Sequence, residues 1–276
     1  MNPLDAFTDP LFRLPLGTGL LAAAVLPLLG TLLRLREEWL AALGLAHISA
    51  AGALAGMGLG VPAIAGGPLA AGVAAAFKTL SAVRGNTVYA LMILLGWSAT
   101  LILAANTPLG KSLAHAMVDG QLYFAGWVEL IGLLAFAAVT LPALPWLMRR
   151  LIRARFFPEY ERANRLPAWR WHLSFDLLVA AGMALGTATL GLMGAFALVF
   201  LPAWASFAVA PGWRAVLGVA LALGVGGYGL AFTAAMMGDQ PFGPVLVGVL
   251  LVVTAAVRAG AGLRPGGGLT RQGPGS

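Results

Sequence analysis

Arg149-Arg150-Leu151-Ile152-Arg153-Ala154-Arg155-Phe156-Phe157-Pro158-Glu159-Tyr160-Glu161-Arg162-Ala163-Asn164-Arg165-Leu166-Pro167-Ala168-Trp169-Arg170 is the one long polar stretch in a chain of 276 residues. It carries seven of the seventeen Lys and Arg residues. Apolar runs long enough to cross a bilayer flank it on both sides. These features identify residues 149–171 as a cytoplasmic loop that holds a short helix and docks on another protein. Pro158 suits the first turn of such a helix, where a missing N–H costs little. Glu159 and Glu161 suit its positive start. Tyr160 and Ala163, three apart, can insert together into a partner's groove, and Pro167 stops the helix. Charge alone leaves a second reading open, a basic juxtamembrane loop held to anionic lipid.

Outward from that stretch the composition is that of a membrane protein. Sixty per cent of the residues are hydrophobic and ten per cent charged, with a mean hydropathy of +0.88. A soluble domain of this length needs about twice that charge to cover its surface. The net charge of +7 sits beside apolar runs, so it reads as topogenic charge and not as a nucleic-acid surface. Without cysteine there are no disulfides or thiolate metal sites, and the redox compartment is not readable. Met1 to Pro10 holds Asp5 and Asp9 and no basic run, unlike a signal peptide.

A spanning helix needs about 20 apolar residues. Nine segments qualify: 14–33, 39–60, 61–77, 87–105, 123–148, 172–190, 192–210, 215–234 and 242–257. The count falls to eight if the sixth and seventh, joined by almost no loop, form one bent or re-entrant element. Gly66, Gly67 and Pro68 mark the third as broken or tilted. With the N-terminus outside, fifteen of the seventeen cationic residues fall inside and only Arg13 and Lys111 outside. That distribution favours an odd number of spans and a cytoplasmic C-terminus. The expected class is therefore an all-α polytopic transmembrane helix bundle. An extracytoplasmic segment 1–13 precedes a permease domain 14–258, and 259–276, rich in Gly, Pro and Arg, is expected to be a disordered tail. Gly52, Gly56 and Gly60 share a face, the spacing of close helix packing. Gly224, Gly226, Gly227 and Gly229 mark a packing or kink site.

Few motifs carry chemistry. Ala105-Asn106-Thr107-Pro108-Leu109-Gly110-Lys111-Ser112 ends like a phosphate loop, but Ala105 stands where the first glycine belongs and no soluble strand precedes it. No hydrolase, metalloprotease or paired-cysteine motif occurs. His47, early in the second span, is an intramembrane ionisable group and hence a pathway candidate; the alternative is a neutral ring bonded to a neighbouring helix. Glu129, near the outer part of the fifth span, should face other helices or a water-filled path. His115 and Asp119 are four apart in the outer loop. His172 and Asp176, also four apart, are expected to form a local pair at the cytoplasmic start of the sixth span.

Four segments together resemble a known family. Met193-Gly194-Ala195 leading to Leu201-Pro202-Ala203 is similar to the Val-Gly-Ala run leading to Leu-Pro-Ala-small in the permease subunits of zinc and manganese ABC importers, the ABC-3 family. Asp239-Gln240-Pro241-Phe242-Gly243-Pro244 resembles that family's Asp-x-Pro-x-Gly-Pro before its last span. Phe157 to Ala163 resembles its coupling segment, and Leu45-Ala46-His47 its Leu-Ala/Ser-His element. The ordered set covers roughly 14–257. Three positions depart from the pattern. Leu43 stands where the family usually has an aspartate four before the histidine, and Leu cannot ligate a cation. Trp97 replaces a frequent second histidine. Arg165 replaces the coupling segment's usual glycine.

The resemblance implies a non-enzymatic transport subunit in a prokaryotic inner membrane. It implies a cytosolic ABC ATPase holding ATP and Mg, an extracytoplasmic solute-binding protein, and a second permease copy or paralogue, with membrane lipid around them and no nucleic acid. This chain itself would bind no cofactor. The expected cargo is a divalent metal, zinc or manganese, or a metal complex, with His47 as the metal-contacting residue and Glu129 beside the path. Asp119 and Asp239 are candidates for outer docking, and Pro158, Glu159, Tyr160, Glu161 and Ala163 for coupling. The alternatives are a permease for a non-metal solute, a secondary carrier, which normally needs more intramembrane charge than Glu129 and Asp176 supply, and a non-transporting scaffold.

Overall fold

The computed structural model describes residues 10–80, 85–107, 120 and 122–262. Small and apolar residues in long runs leave the backbone one way to satisfy its polar groups inside lipid, the α-helix. The described residues accordingly form ten α-helices, one 3₁₀ turn and no strand. In chain order these are α1 (Pro10–Leu35), α2 (Leu40–Gly58), α3 (Ala63–Leu80), α4 (Asn86–Asn106), the 3₁₀ turn Leu122–Phe124, α5 (Trp127–Phe156), α6 (Pro158–Ala163), α7 (Trp169–Leu190), α8 (Leu192–Val209), α9 (Trp213–Gly238) and α10 (Phe242–Gly262). Every helix except α6 is long and apolar enough to cross a membrane, giving nine candidate spans.

α1 packs against α5, α7, α8 and α9, while α7 touches α2, α3, α5 and α8. These two helices join a group of α2, α3 and α4 to a group of α8, α9 and α10. Packing in lipid lacks a hydrophobic drive between helices, so close backbone approach has to supply the contact. A Cβ on Gly66 would lie 2.6 Å from the Gly52 carbonyl oxygen, and Gly56 faces the Gly66 Cα. α3 is thus one unbroken helix, and its glycines serve the α2 seam. Gly60, expected on the same face, lies past the helix end at φ +77° with open space around it. Gly224 meets Ala23 and Pro27 of α1, and Gly227 meets Leu250 of α10, so these two glycines of the unbroken α9 are packing positions, while Gly226 and Gly229 have open space around them. Buried hydroxyls bond their own helix: Thr18, Thr100 and Thr254 each donate to the carbonyl four residues earlier.

α7 and α8 are two helices. Gly191 between them has φ +80°, which ends α7 and starts α8 in a new direction. Gly120 rests on that break: its Cβ would lie 2.6 Å from the Leu190 oxygen. α5 differs from expectation in length. Its 30 residues make about 45 Å of helix, against a hydrocarbon core of about 30 Å. The helix runs through 149–156, residues read from sequence as loop, and carries four of the arginines out past the apolar span. α10 likewise continues to Gly262, into the stretch expected as tail. Contacts among 36–38, 78, 155 and 176 gather at one end of the bundle, here called the arginine-rich end. Tyr123, Tyr228, Phe232, Phe242 and Phe12 close the opposite end with edge and tilted ring contacts.

Candidate functional site

The short helix expected in the central stretch exists and starts at Pro158. It stops at Ala163, before Pro167. Arg165 takes φ +49°, and the Leu166 N–H bonds back to the Glu161 oxygen at 3.0 Å, a left-handed cap. Glu159, Tyr160 and Ala163 are exposed. Phe156, Phe157 and Trp169, on the two sides of α6 in the chain, are also exposed. Arg153 lies over the Tyr160 ring at 4.7 Å. Glu161 turns the other way: its Oε1 accepts from Trp171 Nε1 at 2.9 Å, and its Oε2 lies 3.8 Å from His172 Nε2. A cavity of about 480 Å³ opens between α6, the end of α5 and the start of α7.

Behind this lies a buried ionic cluster. Arg36 bonds Glu38 at 2.6 Å through Nη2 and Asp176 at 2.8 Å through Nη1. Lys78 Nζ bonds Asp176 at 2.9 Å and Glu38 at 3.2 Å. Thr79 Oγ1 donates to Asp176 Oδ2 at 2.6 Å. Two cations and two anions, none more than 15 % exposed, cancel in net charge. That balance is what makes burial tolerable, because the removal of one member strands an opposite charge. Burial alone would lower the Arg36 pKa; Asp176 and Glu38 more than offset it and hold the guanidinium above its ordinary value. A cavity of about 320 Å³ opens beside the cluster toward Arg155, Ala168, Trp169 and His172, and Arg155 pairs with Glu37. The carboxylate of Asp176 is therefore taken by α3 and the α1–α2 connection, whereas the expected partner was His172. Sequence could flag Asp176 as an acid within a span. It could not supply partners 98 and 140 positions away, and Arg36 and Lys78 had been read as topogenic charge alone.

His47 is 5 % exposed on α2. Its Nδ1–H donates to the Leu43 carbonyl at 2.9 Å, since a carbonyl can only accept. In the neutral ring the lone pair is then on Nε2. α4 approaches closely here: a Cβ on Gly96 would lie 2.6 Å from the His47 oxygen and 2.7 Å from the Ile48 nitrogen. Trp97 consequently lies edge-on to the imidazole, ring centroids 6.1 Å apart. The histidine thus bonds the backbone of the leucine in the usual aspartate place and contacts the ring of the tryptophan in the usual second-histidine place. Among the described residues no three His, Cys, Asp or Glu side chains form a group that could hold a metal ion.

The other expected residues lie elsewhere. Glu129 sits in the first turn of α5, where its Oε2 accepts from the Gly126 N–H at 2.8 Å, a helix-capping bond. Asp239 occupies the left-handed position after α9, φ +50°. Burial, then the charge of Asp239, pushes the Tyr123 phenol above its usual range. Asp119 and His115 lie outside the described residues.

A family model described as the ABC 3 transport family matches residues 9–259. No curated protein matches the chain. Among solved structures, a chain of PsaBC from Streptococcus pneumoniae in complex with Fab superposes with a TM-score of 0.81 at 15% identity, covering 92% of this chain and 94% of that one. A chain of an inward-facing metal-chelate type ABC transporter gives a TM-score of 0.69 at 14% identity, covering 90% and 85%. At these identities the two structures speak for the fold alone.

Proposed function

The chain belongs to the ABC 3 transport family as a multi-pass membrane permease, a transport subunit and not the catalytic one, and from that premise we propose that it is the permease of an ATP-driven importer in a prokaryotic inner membrane. In this reading a cytosolic ABC ATPase, holding ATP and Mg, seats on α6. An extracytoplasmic binding protein delivers solute at the opposite end, where Asp239 and Asp119 are docking candidates. A second permease copy or paralogue completes the path. The supporting observation is α6 itself, a six-residue helix that leaves Tyr160 and Ala163 exposed, with Phe156, Phe157 and Trp169 exposed on the flanking chain. A short surface helix with an exposed aromatic is what a groove on a motor subunit can grip, and such anchors lose most when truncated at an aromatic. Glu159 and Pro158 belong to the same exposed surface.

The test is co-purification. The tagged chain should bring down an ATPase from its native membrane, and Tyr160→Ala should reduce that yield at unchanged chain level. Full ATPase recovery with both Tyr160→Ala and Phe157→Ala would remove α6 as the seat.

For the cargo we propose a divalent metal or a complex of one, in contact with His47 Nε2. One imidazole cannot hold a divalent ion alone, so backbone carbonyls, water or a second copy must supply the other donors. Leu43 and Trp97 around the ring favour a larger, partly apolar species such as a metal complex. Elemental and mass analysis of the partner binding protein separates a bare ion from a complex or a non-metal solute. Glu129 remains a pathway candidate whose carboxylate also caps α5.

A further inference from the structure

We infer that the buried cluster of Arg36, Glu38, Lys78 and Asp176 is the joint through which motion of α6 reaches the transmembrane helices, with Asp176 as its positioning residue. The inference rests on the proposal that α6 seats a motor subunit, and it adds the route beyond that seat.

The route is continuous in named contacts. α6 holds Glu161, whose Oε1 takes the Trp171 indole N–H at 2.9 Å. Trp171 and Asp176 belong to the same helix, α7, so a push on Glu161 reaches the carboxylate through rigid helix. Asp176 then grips α3 through Lys78 and Thr79, at 2.9 and 2.6 Å. It grips the end of α1 through Arg36 at 2.8 Å. Glu38 ties the two cations to each other and to the start of α2. Arg155, at the end of α5, holds Glu37 of the same connection. Cavities of about 480 and 320 Å³ open beside α6 and the α7 start, so α6 reaches α7 through Glu161, while α3 also packs directly on α7.

A buried ionic cluster suits a joint better than a glycine seam does. Its charge-assisted bonds are short and directional, and its members cannot separate without exposing charge to a dry interior. The α1–α2 connection and α3 are therefore constrained to move with α7. Nothing else in the described interior performs this service: α4 carries no charged side chain, and its close contacts with α2 run through Gly44 and Gly96.

The test uses the assembled complex and a charge-balanced variant. Asp176→Leu with Lys78→Met removes one cation and one anion and leaves the Arg36–Glu38 pair, so no buried charge is stranded and the chain should fold. Asp176→Asn is measured beside it. The chain has no native cysteine, so spin labels can be placed at will. One pair goes on Asn164 and Arg214, reporting α6 against α9; the other goes on Leu80 and Arg214, reporting α3 against α9. In the parent, ATP with Mg should shift both distances by about 2 Å, the scale of helix shifts at interfaces. In the double variant the Asn164–Arg214 shift should persist and the Leu80–Arg214 shift should vanish, with the ATPase still bound. A Leu80–Arg214 shift of parental size in the folded double variant overturns the joint and leaves the α6 seat standing. Absence of both shifts, or of the ATPase, from the parent overturns the seat and the joint with it.

Discussion

Glu37, Arg165 and Asp239 each hold a positive φ, between 49° and 60°, without being glycine. All three follow a helix end, and in each the next N–H returns to a carbonyl five residues back: Glu38 to Leu33, Leu166 to Glu161, Gln240 to Ala235. This is the cap that glycine usually supplies, and a side chain there is strained by roughly 1–2 kcal/mol. Arg165→Gly should therefore stabilise the chain by about 0.5–1 kcal/mol, the strain relief less the entropy that glycine adds to the unfolded state. A lower unfolding midpoint in a denaturant titration would contradict it. The sequence already pointed to this position, because a family glycine was replaced there. His47 makes a second residue-scale case. His47→Ala removes a ring whose one hydrogen bond is to its own helix, so folding should survive. Zinc or manganese uptake in reconstituted complexes should fall, by about tenfold if the imidazole is one of a few weak ligands. Unchanged uptake would take His47 off the path. Asp176 was less legible than either: its chemistry was visible, but its partners are set by tertiary packing, which spacing along one helix cannot show.

At the scale of elements, nearly every span could be read from hydropathy, since a bilayer demands long apolar helices of a fixed length. What hydropathy could not show was where polar helix continues past the lipid, as in α5, or how a broken pattern is repaired, as in α3. Both depend on neighbours. The glycines make the point sharply, for sequence lists them alike while the fold uses them differently. A Cβ on Gly96 would press into the His47 and Ile48 backbone; nothing lies within 4 Å of a Cβ on Gly226. Gly226→Ala should thus gain about 0.5–1 kcal/mol from helix propensity alone. Gly96→Ala should cost about 1–3 kcal/mol, the range for forcing atoms into a packed interior, and should part α4 from α2 beside His47. The pair is read by thermal unfolding in detergent. Equal effects of the two substitutions would mean that the α2–α4 seam is not packed as described.

For the whole molecule, the decisive property is the segregation of charge. Arg34, Arg36, Lys78, Arg153, Arg155 and Arg258 lie at one end, linked by contacts such as Arg34 over Phe207, Arg36 to Asp176 and Arg258 to the Trp204 carbonyl. The other end closes with aromatic rings and carries Asp239. Cationic residues resist translocation, so the end that holds them should stay in the cytoplasm. The nine candidate spans then require the chain to start outside. Leu59, 83 % exposed after α2, and Asn164, exposed after α6, report the two ends. Each can be changed to cysteine alone, because the chain has none of its own. A membrane-impermeant maleimide added to intact cells should label Leu59→Cys and spare Asn164→Cys until the membrane is opened. The reverse pattern would place α6 outside, out of reach of any ATP-hydrolysing partner. In that case the ionic cluster would lie at the end that meets the delivered solute, and both the α6 seat and the ATP-driven import built on it would fall.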